Sequence, residues 1–351
     1  MLAQSCASPS PRCSVASRIS VSPAQSRSCR SAATAPVAES TTCPSRGERE
    51  GGAVLTLHIT PLAAAFGAEV HGLDPTVAPD EEARGELRTA FDNFGVLILR
   101  DHVVDRRMQT YLTELVRGEE DLSDEKIATD AARQSSFYIS NRIEDAAAPF
   151  GRLMWHSDGM WSDHPFEVIS LYGEAVEPPV PPTRFASTTR AWNTLPSRLR
   201  ARVEHASALQ VPGPENFAHR RGSDEDGDLV QPVRDKDYSV TKPVASRHPR
   251  TGRTILFVSQ QMTSHIDGVP SEESEELLNA LFEHMYAADN VVEHEWREGD
   301  LVVWDNLACQ HARPDVKLDS SVRTLRKVGW PLPPMADKQA VGSYRRIGAS
   351  Q

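Results

Sequence analysis

Two histidines and an aspartate constrain this chain more than any other feature in it. His156 and Asp158 lie two residues apart, and His311 follows 153 residues after Asp158. On an extended strand, residues i and i+2 face the same side, so the first pair can present two ligand atoms to one point. His311 can join them only if the fold lays a late strand beside an early one, as a rolled β-barrel does. Two histidines and one carboxylate, with other coordination positions open, are the ligand set of a non-haem Fe(II) centre.

The triplet alone is weak. Twelve histidines among many aspartates make a chance His-x-Asp expected, and the chain holds a second copy, His265-Ile266-Asp267. That copy precedes a Gly268-Val269-Pro270 turn and has no suitable histidine far downstream, so it reads as structural or substrate-side. The first triplet keeps better company. Gly299 to Asn306 reads as a turn, a buried strand and a ligand-bearing end leading into His311. Twelve residues past His311, on an expected antiparallel return strand, Arg323 could clamp a carboxylate with two parallel hydrogen bonds. Thr183, 25 residues past Asp158, could add a hydroxyl.

Composition bounds the setting. At 351 residues, 39% apolar and 25% charged, the chain has ample core for a globular protein. A net charge of -11 argues against general nucleic-acid or membrane-surface binding, which need basic patches. No apolar run approaches the ~20 residues that cross a bilayer. Four of five cysteines (Cys6, Cys13, Cys29, Cys43) fall in the first 50 residues; the fifth, Cys309, reads as a buried thiol. The body therefore reads as a reduced, cytoplasmic protein.

Residues 1–52 stand apart. They are rich in Ser, Ala, Pro and Arg, and Glu39 is their first acidic residue. They read as a disordered extension or an upstream start; a transit peptide, with organelle import through residues 1–50, is the alternative. The folded region is expected over residues 53–335, with 336–351 as a tail. Val54 to Ile59 alternates like a strand, and Val96 to Leu99 reads as a buried one. Helices are expected over Glu81–Phe94, Asp105–Val116, Pro196–Ala206 and Ser271–Ala287, the last with Ser271 as its N-cap. Further strands are expected at Glu167–Tyr172, Thr254–Val258, Val291–Trp296, Leu301–Trp304 and Val322–Trp330. The acidic segment Gly222–Asp237 reads as a loop, either a lid or a solvated insertion. Many short strands with a few helices give a mainly β fold with flanking helices, a double-stranded β-helix or cupin-like jelly roll.

From Leu57 to Trp330 the chain resembles the taurine and (2,4-dichlorophenoxy)acetate dioxygenases, which depend on Fe(II) and 2-oxoglutarate. The resemblance rests on Phe66 to Asp74, Phe94 to Arg100, and Trp155-His156-Ser157-Asp158. It continues through His248-Pro249 with Thr251-Gly252-Arg253 and Leu256-Phe257-Val258, then Gly299 to Asn306, His311 and Arg323. By position it implies that His156, Asp158 and His311 hold the iron and that Arg323 pairs with the distal carboxylate of 2-oxoglutarate. Thr183 would hydrogen-bond that cosubstrate, although Val180-Pro181-Pro182 stands where the family has Gly-Gly-Asp. Arg323, Leu325 and Lys327 share a strand face and Arg326 points away, which favours Arg323 over Arg326 as the clamp. Lys327 falls where relatives place a substrate-binding arginine; a solvated strand-end lysine is the plainer reading. Arg152 falls where the family lines its substrate pocket, and a surface arginine is as plain. Trp155 and Trp161 read as core aromatics.

The resemblance implies that O2 and 2-oxoglutarate are converted to succinate and CO2 as a small organic substrate is oxidised; Lys327 and Arg152 point to an anionic one, and a specialised-metabolite or amino-acid-derived substrate is equally allowed. Related halogenases lack the carboxylate ligand, so Asp158 favours hydroxylation; desaturation, epoxidation or cleavage are open to the same site. A catalytically silent jelly-roll binding protein is the alternative of another class. Assembly into a homo-oligomer is left open.

Overall fold

A computed structural model of the chain describes residues 57–62, 66–134, 137–144, 146–213, 229–232, 239–331 and 344–347. The chain divides into two units, Met1–Gly52 and Ala53–Gln351, and all described residues lie in the second. The expected N-terminal extension and residues 54–56 of the first expected strand therefore lie outside them.

Two sheets carry the site. The major sheet runs, in spatial order, β1 (His58–Pro61), β2 (Ala68–His71), β3 (Val96–Leu99), β15 (Leu301–Asp305), β6 (Val168–Val176), β17 (Arg323–Trp330) and β4 (Tyr138–Ser140). The minor sheet runs β14 (Val291–His294), β7 (Thr183–Ser187), β16 (Cys309–Val316), β5 (Gly151–His156), β9 (Leu229–Pro232) and β18 (Tyr344–Ile347). All pairings are antiparallel except β2 with β3 and β5 with β9. Strands far apart in sequence lie side by side, as the spacing of the histidines requires.

Strand alternation sorts the core. Val96, Ile98, Val302 and Trp304 join Ile169, Leu171, Phe185, Val292 and Leu325 in one buried cluster shared by both sheets. Their neighbours Leu97, Leu99, Leu301 and Val303 turn the other way and pack with Leu87, Phe91, Leu112 and Leu115. Those last residues come from α1 (Glu81–Phe94) and α2 (Arg106–Arg117), which cover the outer face of the major sheet. Both faces of the central strands are thus dry, which explains their continuous apolar runs.

The helix ends follow capping chemistry. Asp80 accepts from Ala83 N at 2.9 Å, and Gly95, at φ 71°, closes α1 in the left-handed conformation. Asp105 caps α2 rather than opening it. α6 (Ser271–Met285) has Pro270 at the cap position, so Ser271 is its first helical residue and not the expected N-cap. Ser197–Val203 (α5) is the helix expected over 196–206. Helices α3 (Asp124–Arg133) and α4 (Thr188–Thr194) were not foreseen. α4, α5 and α6 pack over a small sheet of β10 (Val240–Pro243), β8 (Ser207–Gln210) and β13 (Thr263–Ile266), beside the hairpin β11 (Ala245–Arg247)–β12 (Thr254–Leu256). In the segment expected as one acidic loop, Leu229–Pro232 is a strand, paired with β5 and with Tyr344–Ile347 of the tail. The rest of that loop lies outside the described residues.

Candidate metal centre

β16 lies between β5 and β7, and in its register with β5 His311 faces His156 directly. Asp158 follows two residues later. Ligand atoms of His156, Asp158 and His311 all lie within 4.8 Å of one another, the only such acid, thiol or imidazole cluster among the described residues. The two imidazole centroids are 4.2 Å apart, and His156 Nε2 is 3.4 Å from Asp158 Oδ1.

Each donor is held in its ligand form. His156 Nδ1 donates to Met154 O at 2.7 Å, which leaves the Nε2 lone pair toward Asp158. Burial, and then His156 beside it, holds the His311 imidazole well below its usual range, so the ring is neutral. Its Nδ1 is buried without a hydrogen-bond partner. Burial alone would raise the Asp158 carboxyl, but Lys327, His156 and His311 together hold it well below the usual carboxylate range. Lys327 Nζ takes Asp158 Oδ2 at 2.5 Å, while Oδ1 faces the histidine. Two imidazoles and one ionised carboxylate oxygen converging on one point fit a divalent cation.

Thr183 and Arg323 also meet, from opposite sheets. Arg323 Nη2 donates to Thr183 Oγ1 at 3.3 Å and its Nε to Pro181 O at 3.3 Å. Trp296 Nε1 donates to the same Thr183 hydroxyl at 2.9 Å. Arg323 is 3% exposed and has no carboxylate partner among the described residues. Burial, and then the nearby Arg313, push its guanidinium well below its usual range. An arginine does not give up its proton in a protein, so what relieves this site is an anion. Arg326 turns outward, to Gln109 Oε1 and Glu174 Oε2, both at 2.8 Å, and to Val104 O. The face assignment on this strand therefore holds.

The structure brings Lys327 to the triad. Arg152 is 2% exposed on β5, four residues before His156, so the surface reading of it is corrected by its burial. Trp161 is buried beside Met160 and Phe257, and Trp155 stacks on Tyr286 with centroids 4.7 Å apart. Cys309 is buried, which raises its thiol well above the usual value. The second pair, His265 and Asp267, is exposed and joins no three-donor cluster among the described residues. Arg313, Trp296, Asn306 and His248 were missed. Arg313 had a signal: it follows His311 by two on the same strand. Its Nη atoms cap Ala148 O, Phe150 O and Gly151 O at 2.6–2.9 Å.

Residues 58–328 match the family described as "Taurine catabolism dioxygenase TauD, TfdA family". The chain belongs to this family. TauD/TfdA proteins are Fe(II)- and 2-oxoglutarate-dependent dioxygenases, and this chain is an enzyme of that group with a candidate His-Asp-His donor cluster. It is 28% identical over 275 residues to pentalenolactone F synthase of Streptomyces arenae, covering 73% of this chain and 90% of that protein. It is 26% identical over 265 residues to the alpha-ketoglutarate-dependent 2,4-dichlorophenoxyacetate dioxygenase of Cupriavidus pinatubonensis, covering 72% and 90%. Among solved structures it is similar to AAD-2 in complex with Mn(II) and N-oxalylglycine, at TM-score 0.60 and 21% identity over 79% of this chain and 99% of that one. The double-stranded β-helix is thus shared with the family. Among the described residues, no helix is long and apolar enough to cross a membrane.

Proposed function

We propose that the protein couples decarboxylation of 2-oxoglutarate to succinate with C–H hydroxylation of a small organic anion. His156, Asp158 and His311 would hold Fe(II), and Thr183 and Arg323 the distal carboxylate of 2-oxoglutarate. Lys327 and Arg152 would face the substrate. The observation that carries this reading is Arg323: a buried cation without a carboxylate partner among the described residues, in the same barrel as a three-donor cluster. Lys327 brings a cation to the triad, which supports an anionic substrate over a neutral one.

When bound, Fe(II) would supply the activation of O2 that no amino-acid side chain provides. The protein's own residues orient and shield. His156 and Asp158 are fixed before any ligand arrives, one through Met154 O and the other through Lys327. Trp304, with its ring centroid 5.1 Å from that of His311, closes the apolar side. Asp158 fills the position that must be vacant for halide, which supports hydroxylation. Among the relatives, one is named for a carboxylate substrate, 2,4-dichlorophenoxyacetate, which supports an anionic one here.

The test is succinate release under Fe(II), ascorbate and O2 across carboxylates, sulfonates and sulfate esters, each paired with a neutral ester or amide. Succinate that rises with an anion and not with its neutral partner is the expected result. Absence of both 2-oxoglutarate binding and turnover would make the chain a silent jelly roll.

A further inference from the structure

The block His248-Pro249-Arg250-Thr251-Gly252 lies away from the triad in sequence and takes no part in the chemistry above. Its hydrogen bonds nevertheless lead to the metal ligands. His248 is 4% exposed, and its Nδ1 accepts from the backbone N–H groups of Arg250 (3.2 Å) and Thr251 (3.1 Å). With two donors aimed at Nδ1, the ring proton belongs on Nε2. Nε2 then donates to the buried Asp305 carboxylate, 3.1 Å from Oδ1 and 3.0 Å from Oδ2. Arg250 Nη2 holds Asp305 Oδ2 at 2.5 Å, and Arg250 also pairs with Asp92 on α1.

Asp305 ends β15 and caps the turn that enters β16: its Oδ1 accepts from Leu307 N (3.1 Å) and Ala308 N (2.9 Å). That turn sets where β16, the strand that carries His311, begins. The next residue, Asn306, is fully buried and grips the other arm of the triad. Its Oδ1 accepts from Asp158 N at 3.0 Å, and its Nδ2 donates to Asp158 O at 3.0 Å and Phe166 O at 2.8 Å. One dipeptide thus reaches both arms of a ligand set whose members are 153 residues apart.

We propose that Asp305 and Asn306 are the positioning residues of the metal centre, Asn306 for Asp158 and Asp305 for His311, with His248 as the anchor of Asp305. The inference rests on His156, Asp158 and His311 being the ligands. Outer partners that orient metal ligands typically govern affinity by about 10–100-fold.

The test is Co(II) binding to the full chain, followed by calorimetry and by the visible ligand-field absorption of the ion. Asn306→Ala is expected to weaken Co(II) by about 10-fold or more and to alter the spectrum. His248→Asn keeps an acceptor for the turn N–H groups and loses the donor to Asp305; His248→Gln keeps a donor and loses the acceptor. Weakening of about 10-fold in His248→Asn, with His248→Gln within about 3-fold of wild type, identifies the Asp305 contact as the one that matters. A purely structural role would lower the melting temperature while leaving affinity and spectrum of the folded protein unchanged; wild-type binding in both His248→Asn and Asn306→Ala overturns the proposal. If Asn306→Ala does not fold, the two His248 variants decide alone. Failure of the ligand assignment looks different: wild type itself would not bind Co(II), or Asp158→Ala would bind it equally well.

Discussion

Asp158 divides its two carboxylate oxygens between two partners. Oδ2 meets the Lys327 ammonium, and Oδ1 faces His156. Removing the carboxylate takes away a charge that two imidazoles cannot replace. Asp158→Ala should therefore abolish substrate-dependent succinate formation, and retained full turnover would refute the ligand assignment. Arg323 offers a sharper measurement, because lysine keeps its charge and loses the planar fork. Arg323→Lys should raise the KM for 2-oxoglutarate by about 10–100-fold, since a hydrogen bond to a charged group contributes about 1.5–3 kcal/mol. An unchanged KM would remove Arg323 from the cosubstrate pocket. The placement of these side chains was legible because strand alternation leaves a trace in the sequence: a spacing of two from His156 to Asp158 and of four from Arg323 to Lys327. Asn306 left no such trace. Its partners are backbone atoms of Asp158 and Phe166, and a side chain that bonds to distant backbone has no periodicity to read.

Helix α2 shows the same contrast at the scale of an element. Its existence was read over Asp105–Val116, with Asp105 inside the helix and not at its cap, and it buries Gln109, Thr110, Thr113 and Glu114 completely. Gln109 explains part of this, since it bonds Ser170 and Arg326 across the outer face of the major sheet. Glu114 meets Lys126 of α3, which also holds Asp130 at 2.9 Å. α3 went unseen because it is short and buries only Ile127, Asp130 and Ala131, too few apolar positions for a helical pattern. Burial, only partly offset by Lys126, pushes the Glu114 carboxyl from an ordinary 4.5 up to about 7. A folded-state value above the unfolded one means that the fold favours the protonated acid. That contribution is complete below the unfolded value and is lost as pH rises through the folded one. Glu114→Gln removes the titration and keeps the shape. Between about pH 5.5 and about pH 8 the wild-type melting temperature should fall more steeply than that of Glu114→Gln. Parallel slopes would show that Glu114 does not titrate in this window.

At the scale of the whole molecule, an acidic chain of net charge -11 buries Arg152, Arg313 and Arg323 on β5, β16 and β17. The overall charge argues against nucleic acid as a general partner and says nothing of these arginines, because a sum over the sequence does not record which side chains turn inward. Jelly-roll topology decides that, by placing β5 and β16 side by side although the chain between them builds a helical layer, a small sheet and two strands of the major sheet. A cation bound by His156, Asp158 and His311 would cross-link those two strands and bind only the folded chain. It should therefore stabilise the protein by mass action, by about 2.7 kcal/mol at a free concentration 100 times the dissociation constant. For a domain of this size each kcal/mol moves the melting temperature by about 2–4 °C, so Mn(II) or Co(II) should raise it by about 5–10 °C over chelator-treated protein. Asp158→Ala should show almost none of that rise, while Arg323→Lys, which leaves the three donors intact, should keep it. Equal shifts in wild type and Asp158→Ala would mean that the ion binds elsewhere, and that the cluster is a buried ion pair between a histidine and a carboxylate.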